Sequence, residues 1–162
     1  MKTVREILLS KGNEICSITP ESTIYEALKL MADKEIGALL VLDNNVLQGI
    51  ISERDYARKV ALEGKSSRDS LVKEIMSTKI LYVTLSHTTE ECIALMINKR
   101  IRHLPVYENN LLVGVISIGD VVNAVIDEKE FVIDQLVRYI TDTPPINNKF
   151  IKPEYKVEQP PA

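Results

Sequence analysis

The chain carries one pattern written twice. Displaced by 65 positions, residues 15–60 fall on residues 80–125 without a gap. Thr19 meets Thr84, Thr23 meets Thr88, Glu26 meets Glu91 and Met31 meets Met96. Val41, Gly49, Ser52 and Asp55 meet Val106, Gly114, Ser117 and Asp120. Chance does not place so many identities in one register. The lead-ins repeat as well, at a displacement of 68, where Val4-Arg5-Glu6-Ile7 matches Val72-Lys73-Glu74-Ile75. The first copy therefore carries three extra residues near Gly12-Asn13-Glu14, which read as a loop. One such unit buries too little apolar surface to stand alone, so the two are expected to pair.

Each repeat reads as β-α-β-β-α, an α/β chain of the α+β type. A short strand over 15–18 stops at Thr19-Pro20. Thr23 and Glu26 then have capping-box spacing, as do Thr88 and Glu91. Ile24, Ala27, Leu28 and Met31 recur on one helical face. Thr89, Cys92, Ile93 and Met96 repeat that face, which puts Cys92 in the core. Ala38-Leu39-Leu40-Val41-Leu42 suits a strand covered on both faces. Asp43-Asn44-Asn45 is a turn signal, so the strand is expected to return as a hairpin over 47–51. A second helix begins near Asp55. The expected boundaries are 1–70 for the first repeat with its lead-in and linker, 71–142 for the second, and 143–162 for a Pro-rich extended tail.

Gly49-Ile50-Ile51-Ser52-Glu53-Arg54-Asp55 and Gly114-Val115-Ile116-Ser117-Ile118-Gly119-Asp120 are the polar ends of the two repeats. Ser-x-x-Asp at a strand-to-helix junction is a helix cap or a ligand holder, and the pattern alone suits both. Arg54, Arg102 and His103 have no role in a cap, and they favour the ligand. His103 also suits a satisfied core histidine. Arg58, Lys59 and Arg68 read as solvated surface. Gly64-Lys65-Ser66 lacks the first glycine of a phosphate loop, where Lys59 stands, and reads as linker.

The formal net charge of −3 gives no nucleic-acid footprint. No apolar run is long enough to span a membrane. The N-terminus lacks a secretory signal core, which points to the cytoplasm. Cys16, Cys92, His87 and His103 are scattered without zinc-ligand spacing, so no metal site is expected. No nucleophile–base pair or paired carboxylates mark an enzyme.

The repeat, Arg102-His103-Leu104-Pro105-Val106, the two junctions and Val72-Lys73-Glu74-Ile75-Met76 together resemble a tandem pair of CBS (cystathionine-β-synthase) domains, or Bateman module. The resemblance covers roughly residues 1–141 and is similar to stand-alone CBS-pair proteins. It implies two repeats packed about a pseudo-two-fold axis with two clefts between them, and no catalytic residues. It also implies adenosine-containing ligands: AMP, ADP or ATP, with NAD(H) or S-adenosylmethionine as further candidates. No cofactor is required, and a disc-like homodimer is the implied assembly.

Carried onto this sequence, the resemblance assigns Asp55 to the ribose hydroxyls and Ser52 to phosphate at the helix start. Arg54, Leu81, Arg102 and His103 complete that first cleft. The second takes Ser117 and Asp120 with Lys11, Cys16, Gly37 and Ala38. Here Gly37-Ala38 stand for Arg102-His103 and Gly119 for Arg54, which leaves Lys11 as the main phosphate candidate. The first cleft is expected to prefer phosphorylated ligands; the second is expected to take an adenosine end or stay empty. The expected function is an adenine-nucleotide sensor acting in trans on an effector protein. The alternatives are a scaffold with vestigial clefts, or a redox-linked regulator using Cys16.

Overall fold

A computed structural model describes residues 1–141; the tail expected over 143–162 lies outside the described residues. The chain divides into two units, Met1–Glu128 and Lys129–Ala162. The first unit opens with α1 (Val4–Lys11) and continues through β1 (Ser17–Ile18), α2 (Ile24–Lys34), β2 (Ala38–Asp43) and β3 (Val46–Ser52) to α3 (Glu53–Tyr56). A π-helical stretch, Ala57–Ala61, extends α3. The second repeat follows as α4 (Val72–Ile75), β4 (Val83–Thr84), α5 (Thr89–Lys99), β5 (His103–Glu108), β6 (Leu111–Ser117) and α6 (Ile118–Thr141). Beyond Glu128 the described part of the second unit is the continuation of α6.

The two repeats make the same sheet. β1 pairs parallel with β2, and β2 antiparallel with β3; β4, β5 and β6 repeat this order. Asn44-Asn45 and Asn109-Asn110 turn the hairpins with positive φ at all four residues. Asparagine tolerates that left-handed geometry, and two such residues make the hairpin turn that matches strand twist. Thr23 and Thr88 cap α2 and α5 through full capping boxes with Glu26 and Glu91, as the spacing predicts.

The cores do not follow the linker. Val4, Ile7 and Leu8 of the first lead-in pack with Val83, Cys92, Met96, Leu104, Val106 and Ile116 of the second repeat. Val72 and Ile75 of the second lead-in pack with Ile24, Met31, Leu39, Val41 and Ile51 of the first. Each lead-in thus closes the other repeat's core. Backbone hydrogen bonds repeat the exchange: Val4 N–H donates to the His87 carbonyl, and Val72 N–H to the Ser22 carbonyl. Fully burying a Val, Leu or Ile stabilises by about 2 kcal/mol, so these few residues tie the repeats into one cooperative unit. The linker is held too, since Tyr25 N–H donates to the Ser67 carbonyl. Arg68, expected on a solvated surface, stacks over the Tyr25 ring at 3.9 Å.

Cys92 lies in the second core at 0% exposure. Burial, with Glu91 adding, pushes its thiol up to about 11. Cys16 is half-buried. Under mild alkylation at neutral pH, mass spectrometry should find Cys16 modified while Cys92 stays untouched until the protein unfolds.

Candidate functional site

The junction motifs settle first as caps. Ser52 Oγ accepts from Asp55 N–H at 3.3 Å, while Asp55 Oδ2 accepts from Ser52 N–H and Oγ, both at 2.9 Å. Ser117 and Asp120 repeat the box, with Oδ2 accepting at 2.7 and 2.9 Å. In both, the cap uses only one carboxylate oxygen. Oδ1 of Asp55 lies outside it, against Lys59 Nζ at 3.1 Å. Capping and ligand binding are therefore compatible: the cap fixes the carboxylate through Oδ2 and leaves Oδ1 outside the box, where in Asp55 it faces the Lys59 ammonium.

Each junction lines a cavity between the repeats. The first cleft, about 370 Å³, gathers Ser52, Arg54 and Asp55 from the first repeat with Leu81, Arg102 and His103 from the second. All six residues expected there are present. The second, about 430 Å³, gathers Lys11, Cys16, Gly37 and Ala38 with Ser117 and Asp120. All six expected there are present as well. Gly37 and His103 line both clefts.

The clefts differ sharply in charge. The first also receives Arg58, Lys59, Lys79 and Arg100, so six cationic side chains face two carboxylates, Glu53 and Asp55. Arg58 and Lys59, expected as solvated surface, are thus part of the cleft lining. Lys79 and Arg100 escaped the sequence reading, although the repeat contained the signal. Lys79 matches Lys11 at the displacement of 68, and Arg100 matches Glu35 at 65. Both Glu35 and Arg100 end their helices in the left-handed region, at φ 53° and 55°. The same backbone corner therefore presents an acid to one cleft and a cation to the other.

The second cleft has Lys11 and Lys34 against Glu14, Glu35 and Asp120. Its lysines are engaged. Lys34 pairs with Glu14 at 3.1 Å. Lys11 Nζ donates to Asp120 Oδ2 at 2.6 Å and to the Val115 carbonyl at 3.0 Å. Lys11, expected to meet phosphate, instead holds the Asp120 carboxylate. Burial alone would raise the Asp120 pKa; the Lys11 hydrogen bond and those from Ser117 outweigh it and hold the carboxyl below its usual range.

Among the described residues no group of His, Cys, Asp and Glu is placed to hold a metal ion. No helix among them is long and apolar enough to cross a membrane.

Paired three-stranded sheets with capped junctions facing two inter-repeat clefts define a duplicated cleft-forming module. The CBS domain family model matches residues 4–62 and 72–127, and the chain belongs to that family. It is 36% identical over 147 residues to the mitochondrial CBS domain-containing protein CBSX3 of Arabidopsis thaliana, covering 85% of this chain and 71% of that one. A protein with CBS domains from Burkholderia ambifaria MC40-6 superposes with a TM-score of 0.77 at 50% identity, covering 79% of this chain and 96% of that one. The CBS pair of MJ0100, solved with 5′-methylthioadenosine and S-adenosylmethionine, shares the fold at 22% identity and a TM-score of 0.68, covering 80% and 98%. Paired CBS domains are regulatory modules.

Proposed function

We propose that this chain is a non-catalytic sensor that binds a phosphorylated adenosine ligand in its first cleft and acts in trans on an effector protein. One observation carries the reading. Of the seven arginines, Arg5 and Arg138 pair with acids and Arg68 stacks on Tyr25. The other four, Arg54, Arg58, Arg100 and Arg102, have no such partner among the described residues, and all four line the first cleft. Like charges gathered in a concave site repel one another in the empty protein and attract an anion. Guanidinium groups also match phosphate in bidentate geometry. A cap needs none of them, and a scaffold with vestigial clefts has no use for them.

The adenosine half of the reading rests on Asp55 and Ser52, and is supported by the adenosine derivatives in the MJ0100 pair. AMP, ADP and ATP fit the charge of the first cleft better than S-adenosylmethionine does. The second cleft, nearly neutral and held by Lys11–Asp120, suits an uncharged adenosine end. A homodimer belongs to the proposal. It is supported by Ile126, Phe131, Ile133, Leu136 and Ile140, large apolar side chains of α6 at 47–78% exposure. A cytoplasmic location belongs to the proposal as well, although the plant relative is named as mitochondrial.

Thermal unfolding with AMP, ADP, ATP, NADH or S-adenosylmethionine tests the reading. A ligand present at about 100 times its Kd adds roughly 2.7 kcal/mol, which for a domain of this size raises Tm by about 5–10 °C. AMP is expected to give such a rise and adenosine a much smaller one. No rise with any millimolar ligand would leave the scaffold alternative standing.

A further inference from the structure

The two clefts share a wall. Gly37, Ile50 and His103 line both, and His103 is the titratable side chain among them. It opens β5 and stands opposite Ser117 in the β5–β6 register. Its ring makes no hydrogen bond to another described residue, so it is available to an occupant of either cleft. The charged groups facing it are Asp120 on α6, Lys11 on α1 and Arg102 on its own strand's approach. Glu53, Arg54 and Asp55 of α3, Arg58 and Lys59 of the π-helical stretch, Lys79 and Arg100 share the first cavity with it, and Glu14, Lys34 and Glu35 share the second.

We propose that phosphate enters the first cleft together with a proton, taken from solvent onto a ring nitrogen of His103. This deepens the reading of the first cleft as a phosphate site and rests on it. In the empty protein, burial disfavours the imidazolium; Asp120 favours it, and Lys11 and Arg102 oppose it. Together they hold the imidazole below its ordinary range, with burial the largest cause. The empty protein therefore favours the neutral ring. A phosphate dianion beside Arg102 offsets that repulsion and gives the ring an acceptor, so the charged form becomes the stable one. The imidazolium then stands in the wall of the second cleft, against Asp120 and Lys11. First-cleft occupancy is in this way expressed as a charge in the other site.

The sign follows from linkage. Binding raises the His103 pKa, so the added affinity is fully present below the midpoint of the empty protein. It is lost as pH rises through the midpoint of the complex. His87, the other histidine, lines neither cavity, and its Nδ1 accepts from Thr84 N–H.

NMR titration of the two imidazole C–H signals, assigned with His103→Gln, tests this with AMP and with adenosine. With saturating AMP the His103 midpoint should rise by about one pH unit or more. Adenosine should leave His103 near its empty value. If AMP shifts other resonances but the His103 midpoint is unmoved or falls, the proton coupling is wrong and the phosphate site stands. If AMP changes no resonance at all, the nucleotide reading beneath it fails.

Discussion

Asp55→Asn is expected to weaken AMP binding by about 100-fold or more, because two hydrogen bonds to an ionised acceptor together contribute about 3 kcal/mol or more. Asp55 Oδ2 is committed to Ser52, so only Oδ1 remains to accept from a ribose. An asparagine can keep its oxygen in the cap, but then presents an amide donor where the ribose offers donors of its own. The fold should survive the change, since loss of a good cap costs about 1 kcal/mol and the amide oxygen preserves part of it. Lys59 loses a half-exposed ion pair, which contributes little in such settings. Calorimetry reads the affinity, and a melting curve on the same sample reads the fold. A variant with unchanged Tm and unchanged AMP affinity would make Asp55 a cap and nothing more.

Gly49→Ala should destabilise the protein by about 2 kcal/mol, in the range typical of overpacking a filled core. A Cβ there would lie 2.8 Å from Met76 Sδ and 2.9 Å from the Ser77 carbonyl. The sulfur can swing away; the carbonyl cannot. It already accepts from Ile50 N–H at 3.0 Å, and Ser77 N–H donates back to Ile50. The second lead-in is thereby stitched to β3 beside the first cleft. Gly114 is the matched control. A Cβ there meets only side-chain carbons of Leu8, at 3.0 and 3.1 Å, which can rotate. Urea unfolding should find Gly49→Ala clearly less stable than Gly114→Ala. Equal losses would contradict this account of how the lead-in is held.

The features legible in the sequence were local or doubled. Thr23 and Glu26, or Asn44 and Asn45, act within one turn of chain, so spacing alone reveals them. The two junctions came into view because Ser52–Asp55 recurs at Ser117–Asp120. The exchange of lead-ins left no such trace. Val4-Arg5-Glu6-Ile7 and Val72-Lys73-Glu74-Ile75 present nearly the same apolar face, which suits either sheet, and only tertiary packing decides between them. The cap is observed, and it is compatible with a ligand role for a reason that sequence cannot express: a carboxylate has two oxygens, and the cap uses one. Arg58 and Lys79 look like ordinary solvated charges until the lead-in exchange brings α4 and the chain after it beside α3. Lys11 lies 109 positions from Asp120, too far for any pattern to link them. The π-helical stretch after Tyr56 has no sequence signal that we recognise.

The central claim is that the first cleft, and not the second, holds the phosphorylated ligand. Calorimetric titration of AMP into wild type, Asp55→Asn and Asp120→Asn tests it most directly. The account predicts that Asp120→Asn keeps the wild-type AMP site, while Asp55→Asn loses it. AMP binding that survives Asp55→Asn and disappears in Asp120→Asn would contradict it.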